Sequence, residues 1–286
     1  ASNNTAVGTD ALVQNTTGAN NVAVGMNCAD ANTTGSAIVA VGAGALGANT
    51  TGGSNTALGN TALAGNTTAS NNTAVGTGSL FANTTGHSNT AVGATALDAN
   101  TTGNNNTAVG RLALTENTTG NENVVLGSES LDANTTGSAN TALGYGSLTS
   151  NTTASNNTAV GRSALNANTT AGNNTAVGYF SLLSNTTGAN NTAVGHSALD
   201  AQTTGGNNTA IGYLAATSLT TGTSNTALGN SALEGCVDGT NNVAIGYETG
   251  TADWGDANVA VGYRALKVNT ASNNTALGNN ALLSNT

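Results

Sequence analysis

Few side chains in this chain of 286 residues are equipped for chemistry. His87 and His196 could move protons, Cys28 and Cys236 could bridge, and Asp98 with Asp132 could form a glycosidase-like carboxylate pair. Glu234, Asp238, Glu248, Asp253 and Asp256 gather around Trp254, where a calcium ion would need about six or more converging oxygens. A further set mixes aromatic rings with cations: Tyr145, Tyr179, Tyr213, Tyr247, Tyr263, Arg111, Arg162 and His196. Tyrosine and arginine are prominent on recognition surfaces.

Whether these groups meet depends on the elements that carry them, and those elements are repeats. A glycine recurs every 17 residues from Gly8 to Gly246, then at a spacing of 16 at Gly262 and Gly278, so that one array of 17 units fills 1–286 without a linker. The unit reads Asn-Asn-Thr-Ala-Val-Gly, two variable residues, Ala-Leu, two more variable residues, Asn-Thr-Thr-Gly and a last variable residue. Counting these as positions 1 to 17, position 3 is Thr or Val, position 5 is Val, Leu or Ile, and position 10 is Leu except at Ala29, Ala216 and Gly250.

Alternating β-branched and aliphatic residues at positions 3 and 5 predict a strand with one inward face, and the Leu of position 10 a second short strand facing it. Helical repeats are excluded, because no unit carries ten residues at the 3.6 period and Gly with Asn-Thr-Thr would interrupt every helix. The expected fold is all-β: a parallel β-solenoid, or β-roll, of 17 coils with a 17-residue repeat. One bend falls at the position 6 Gly and another at Asn-Thr-Thr-Gly. Stacked Asn and Thr would then hydrogen bond along the axis as ladders.

Such stacking separates most of the reactive groups. His87 at position 17 and His196 at position 7 stand over six coils apart, about 30 Å on a straight stack. Asp98 and Asp132 share a position two coils apart, at about 10 Å, without an aromatic cleft. Cys28 and Cys236 are about 12 coils apart, which forbids an intrachain bridge. The late acidic group lacks the spacing of a calcium loop. No catalytic residue, metal site or cofactor is expected, and the chain is not read as an enzyme.

The tyrosines, Arg111, Arg162 and His196 all fall at position 7 and so form one longitudinal file. It reads as a sugar- or surface-binding stripe, or as rings that cover the edge of the roll or an oligomer seam. The turns carry glycosylation sequons at Asn15, Asn32, Asn49, Asn66, Asn83, Asn100, Asn117, Asn134, Asn151, Asn168 and Asn185, acceptors in a host with that machinery. The same residues are what turns and ladders require. A formal charge of −9 with four basic residues, Arg111, Arg162, Arg264 and Lys267, argues against nucleic acid. No run approaches the length of a membrane span, and Ala1 to Thr5 carry no signal-peptide features. Two large aliphatics per coil are little burial for 17 ordered residues, so self-association is expected.

The segments Asn21–Gly25 and Asn242–Gly246, Asn-Val-Ala-Val-Gly and Asn-Val-Ala-Ile-Gly, resemble the head repeats of trimeric autotransporter adhesins. That resemblance implies a left-handed roll, three chains in one shaft, and attachment of a bacterium to a surface. The fuller unit Asn190–Gly205 is similar to the repeat shafts of phage and viral tail fibres. The 17-residue coil is longer than the adhesin one, so its second turn must differ. Together these similarities imply a piece of a longer fibre, a homotrimer outside the cell or on a virion, that projects and adheres. Binding of surface glycans or a receptor by the position 7 file is the alternative. A third possibility, ice binding, would need Thr at i and i+2 of one strand. Thr16 and Thr17 are adjacent, and in a strand they would point to opposite sides.

Overall fold

Thr-Ala-Val and its variants are stiff at χ1 and favour extended backbone, and the Gly that follows releases the chain from it. In the computed structural model, which describes residues 1–285, each of these triplets is a three-residue strand. Among the described residues there are seventeen such strands and no helix. The chain forms two compact units, Ala1–Ala142 and Leu143–Thr286.

In the first unit, β1 (Thr5–Val7) starts a parallel ladder that runs strand by strand to β8 (Val124–Leu126). Its register is the sequence repeat, with Thr5 opposite Val22 and Thr90 opposite Thr107. The second unit repeats the arrangement from β10 (Thr158–Val160) to β17 (Thr275–Leu277). There the register shortens by one residue at the end, Ala244 facing Ala260 and Ala260 facing Ala276. β9 (Thr141–Leu143) falls where the units divide. Both units are β-solenoids, as the repeat requires.

Two expectations about the coil are corrected. The inward residue of the strand is the Ala of position 4, not positions 3 and 5: Ala57, Ala74, Ala91 and Ala108 are fully buried, while Val7, Leu58, Leu126 and Ile211 are exposed. A three-residue strand can turn either its middle side chain inward or its two outer ones. The side facing the buried Leu of position 10 holds a methyl group. The second correction concerns that Leu. It lies on no strand, but in the left-handed region, with φ of 56° at Leu46 and 55° at Leu97. A left-handed residue costs about 1–2 kcal/mol. Full burial of a Leu side chain returns about 1.5–3 kcal/mol, and its amide still bonds the next coil, as from Leu46 N to Ala62 O at 3.0 Å.

The glycine that marks each coil is required twice over. Gly110 has φ of 139°, and a Cβ placed on it would lie 2.5 Å from the carbonyl oxygen of Gly127 in the next coil. Successive coils therefore touch through bare backbone at this corner.

Much of the interior is polar. The Asn of position 2 accepts from the backbone N–H of its counterpart one coil on and donates to a turn carbonyl: Asn89 Oδ1 accepts from Asn106 N at 3.0 Å, and Asn89 Nδ2 donates to Gly103 O at 2.8 Å. The Asn of position 13 builds a second file. Asn117 Nδ2 donates to Asn100 Oδ1 at 2.9 Å and to Gly120 O at 3.0 Å, and its own Oδ1 accepts from Asn134 at 2.9 Å. Buried amides are tolerated because these bonds satisfy them.

The shortened coil near the end has its own solution. Gly250 occupies the Leu position, and the ring of Trp254 fills the space, 2.4 Å from where a Gly250 Cβ would stand. Trp254 is buried, and its Nε1 donates to Leu266 O at 3.0 Å. The coil has lost a residue and gained a large side chain.

Candidate functional site

Position 7 follows the glycine corner, so its side chains leave the coil where the backbone is most constrained, one above another. Within the second unit this places Tyr145, Arg162, Tyr179, His196 and Tyr213 on successive coils, then Asn230, then Tyr247 and Tyr263. All five tyrosines are exposed.

The rings stack on each other. Tyr179 and His196 have centroids 5.1 Å apart, His196 and Tyr213 5.3 Å, and Tyr247 and Tyr263 5.5 Å, the last pair inclined by only 9°. The Arg162 guanidinium lies 5.7 Å from the Tyr179 centroid and donates to its hydroxyl at 3.3 Å. Such contacts contribute about 0.5–1.5 kcal/mol per aromatic pair. Asn230 divides the file into two runs.

The lower run is joined by residues that the position 7 pattern does not contain. Arg264 stacks over Tyr263 at 4.9 Å and donates Nε to Glu248 at 2.9 Å, and Lys267 pairs with the same carboxylate. Hydrogen bonds from Lys267, Tyr247 and Arg264 hold the Glu248 carboxyl down at about 2. The bond to Glu248 in turn raises the Tyr247 phenol. Phe180 stacks on Tyr179 at 3.8 Å from position 8. These partners stand at positions 8 and 11, and their only trace in the sequence is proximity to the tyrosines.

Because each ring covers its neighbour, the file presents edges, hydroxyls and ring N–H groups rather than open π faces. It suits hydrogen bonding to a polar surface better than stacking of a sugar ring. Arg111, the file member in the first unit, is not part of these runs and pairs with Glu129 at 3.0 Å.

The eleven turn sequons lie in the position 13 file. Asn32 through Asn185 are buried, Asn15 is half-buried, and their amide nitrogens are engaged as donors, for example Asn49 to Asn32 Oδ1 at 2.8 Å and to Gly52 O at 3.0 Å. An N-linked glycan on a buried amide is incompatible with the folded coil, which corrects their reading as surface acceptors.

Two of the remaining carboxylates serve the fold. Asp253 accepts from Val237 N and Asp256 from Thr240 N, capping turns in place of a ladder residue. Burial raises the carboxyls of Asp98 and Asp132, with the charge of Glu116 adding to it. Burial likewise raises both thiols, Cys236 to about 11. Among the described residues no three His, Cys, Asp or Glu side chains converge as a metal site would need. No protein-family model and no curated protein matches this chain.

Proposed function

We propose that the chain is shaft material of a fibre exposed at a cell or virion surface, a self-associating and homotrimeric assembly that projects and attaches. The observation that carries this reading is the outward face of the strands. In every coil, positions 3 and 5 present Thr or Val and an aliphatic residue, without one charge in either rank. Val7, Val39, Leu58, Val124, Leu126, Ile211, Leu228 and Leu277 are exposed in the single chain. An uncharged, regular, apolar face of this kind marks an association surface. Copies of the same chain match it coil for coil, and covering it supplies burial that one chain lacks.

Light scattering coupled to size exclusion tests this, with a trimer expected. Substituting Val92→Lys and Val109→Lys should release monomers that keep their circular dichroism, whereas a parent chain that is monomeric at micromolar concentration would contradict the proposal.

A second reading is favoured by the ring file. Exposed tyrosine hydroxyls, Arg162 and His196 on consecutive coils would recognise polar surface groups such as glycans or a receptor. Replacing Tyr179 and Tyr213 with Ser separates the readings, since adhesion lost from intact assemblies assigns attachment to the file and adhesion retained assigns it elsewhere.

A further inference from the structure

Position 15 is Thr in thirteen consecutive coils, from Thr17 to Thr221, and it is exposed in every one. No side-chain hydrogen bond ties these thirteen hydroxyls to the rest of the chain, so the fold does not explain their identity. Turn propensity does not explain it either, because Ser, Asn, Asp and Gly also serve in turns. Nor does repetition alone, because position 7, exposed in most of the same coils, and the mostly half-buried positions 11 and 12 vary freely.

The neighbouring Thr of position 14 is accounted for. Thr33 Oγ1 donates to Thr50 O at 3.0 Å, and Thr84, Thr101, Thr118, Thr186 and Thr203 repeat the bond at the same distance. The same carbonyl accepts both backbone amides of the pair, at 2.9 Å from Thr33 N and 3.1 Å from Thr34 N. Both residues are thereby fixed, and with its hydroxyl tied the position 14 side chain holds its methyl in one orientation. The pair lies in a bend, not a strand, and neither Thr enters the core. The objection that adjacent Thr would point to opposite sides therefore does not hold here.

What results is a double file of Thr, uncharged, on a fixed backbone with the position 14 side chains held, and repeated at the coil spacing of about 4.8 Å. It runs for eight coils in the first unit, Thr16 with Thr17 to Thr135 with Thr136, and for five in the second, Thr152 with Thr153 to Thr220 with Thr221. Methyl groups that shed mobile water, hydroxyls that accept and donate, and a fixed interval are what an ordered lattice of water can match. The fixed backbone and the held position 14 side chains lower the ordering cost of doing so. We infer that the Thr-Thr bend file is an ice-binding face, whose ligand is the crystalline water surface.

The test uses the whole purified chain in a nanolitre osmometer, reading crystal habit and the gap between melting and freezing. Faceted crystals and a gap that widens with protein concentration are expected. The variant Thr51→Lys/Thr85→Lys/Thr119→Lys should lose both, with circular dichroism and melting temperature unchanged because those side chains are free. The milder Thr51→Ser/Thr85→Ser/Thr119→Ser, which removes only methyls, should narrow the gap, and it serves if the lysines perturb folding. Tyr179→Ser/Tyr213→Ser should leave ice activity intact. Round, unshaped crystals in the parent chain, or a folded lysine variant of full activity, would overturn the inference. These readouts do not depend on the assembly state, so they stand or fall apart from the fibre proposal.

Discussion

The Asn file of position 13 ends at a fault, and repairing it should stabilise the second unit. Asn168 donates to Asn151 Oδ1 and Asn185 to Asn168 Oδ1, each at 3.0 Å, but the next coils carry Gln202 and Leu219. The longer Gln amide misses its register, leaving Asn185 Oδ1, Gln202 Nε2 and Gln202 Oε1 buried without partners. Substituting Gln202→Asn would place the amide as in Asn185, which donates both to the preceding Asn and to the Gly188 carbonyl at 3.0 Å. Two hydrogen bonds form, and one buried atom, the new Oδ1 facing Leu219, still lacks a partner. At a net 0.5–1.5 kcal/mol per bond the gain is about 1–3 kcal/mol. Urea denaturation followed by circular dichroism should show a higher midpoint at unchanged slope, together with slower hydrogen exchange at Thr203. The converse, Asn117→Ala in the first unit, removes three bonds and should cost about 1.5–4.5 kcal/mol. A Gln202→Asn chain no more stable than the parent would refute the reasoning that these amides hold the coils in register.

Further outcomes follow from the same packing. Gly110→Ala combines a forbidden φ with overlap on the Gly127 carbonyl and should cost about 2–6 kcal/mol in a melting experiment. Trp254→Ala should cost about 3–5 kcal/mol, and Gly250→Leu should also destabilise, because the two side chains compete for one space. Their combination should be markedly less damaging than the sum, which a double-mutant cycle would read. Burial raises the carboxyls of Asp98, Asp132 and Asp200 above their unfolded values, so their contribution is full below the unfolded pKa and is lost as pH rises through the folded one. Glu248, held down at about 2, acts oppositely and loses its contribution as pH falls from about 4.5 toward 2. The melting temperature should accordingly rise as pH is lowered from neutral until Glu248 begins to lose its contribution near 4.5, and a fall over that interval would contradict these assignments. Cys236, pushed up to about 11, should resist alkylation at pH 8 until the chain unfolds.

The coil repeat was legible because glycine at a fixed interval has one physical meaning, a corner where backbone meets backbone. Gly110 and its counterparts bear that out in both φ and crowding. The strand was legible too, but its facing was not. Branched residues at positions 3 and 5 satisfy an inward or an outward pattern equally, and only the narrowness of the interior, which takes Ala at position 4, decides. The Leu of position 10 misled for a related reason. A buried aliphatic ordinarily signals a strand or helix, whereas here stacking and inter-coil bonds hold it in a left-handed turn against its propensity. The position 7 file could be read from spacing, since stacking follows from register. The partners Glu248, Arg264, Lys267 and Phe180 could not, because they reach the file from positions that vary. The sequons illustrate the opposite error: Asn-Thr-Thr looks like surface chemistry, and the Asn is core.

The stacking of equivalent positions is the claim on which all of this rests, and distances between spin labels measure it directly. Cysteines introduced at the exposed sites Thr34, Thr68 and Thr119 can be labelled while the buried thiols of Cys28 and Cys236 stay unreactive. Thr34 and Thr68 are two coils apart and Thr34 and Thr119 five, so separations of about 10 Å and 24 Å are expected, growing in proportion to coil number. Distances that fail to scale with the number of glycine-marked units would contradict the stacked coil.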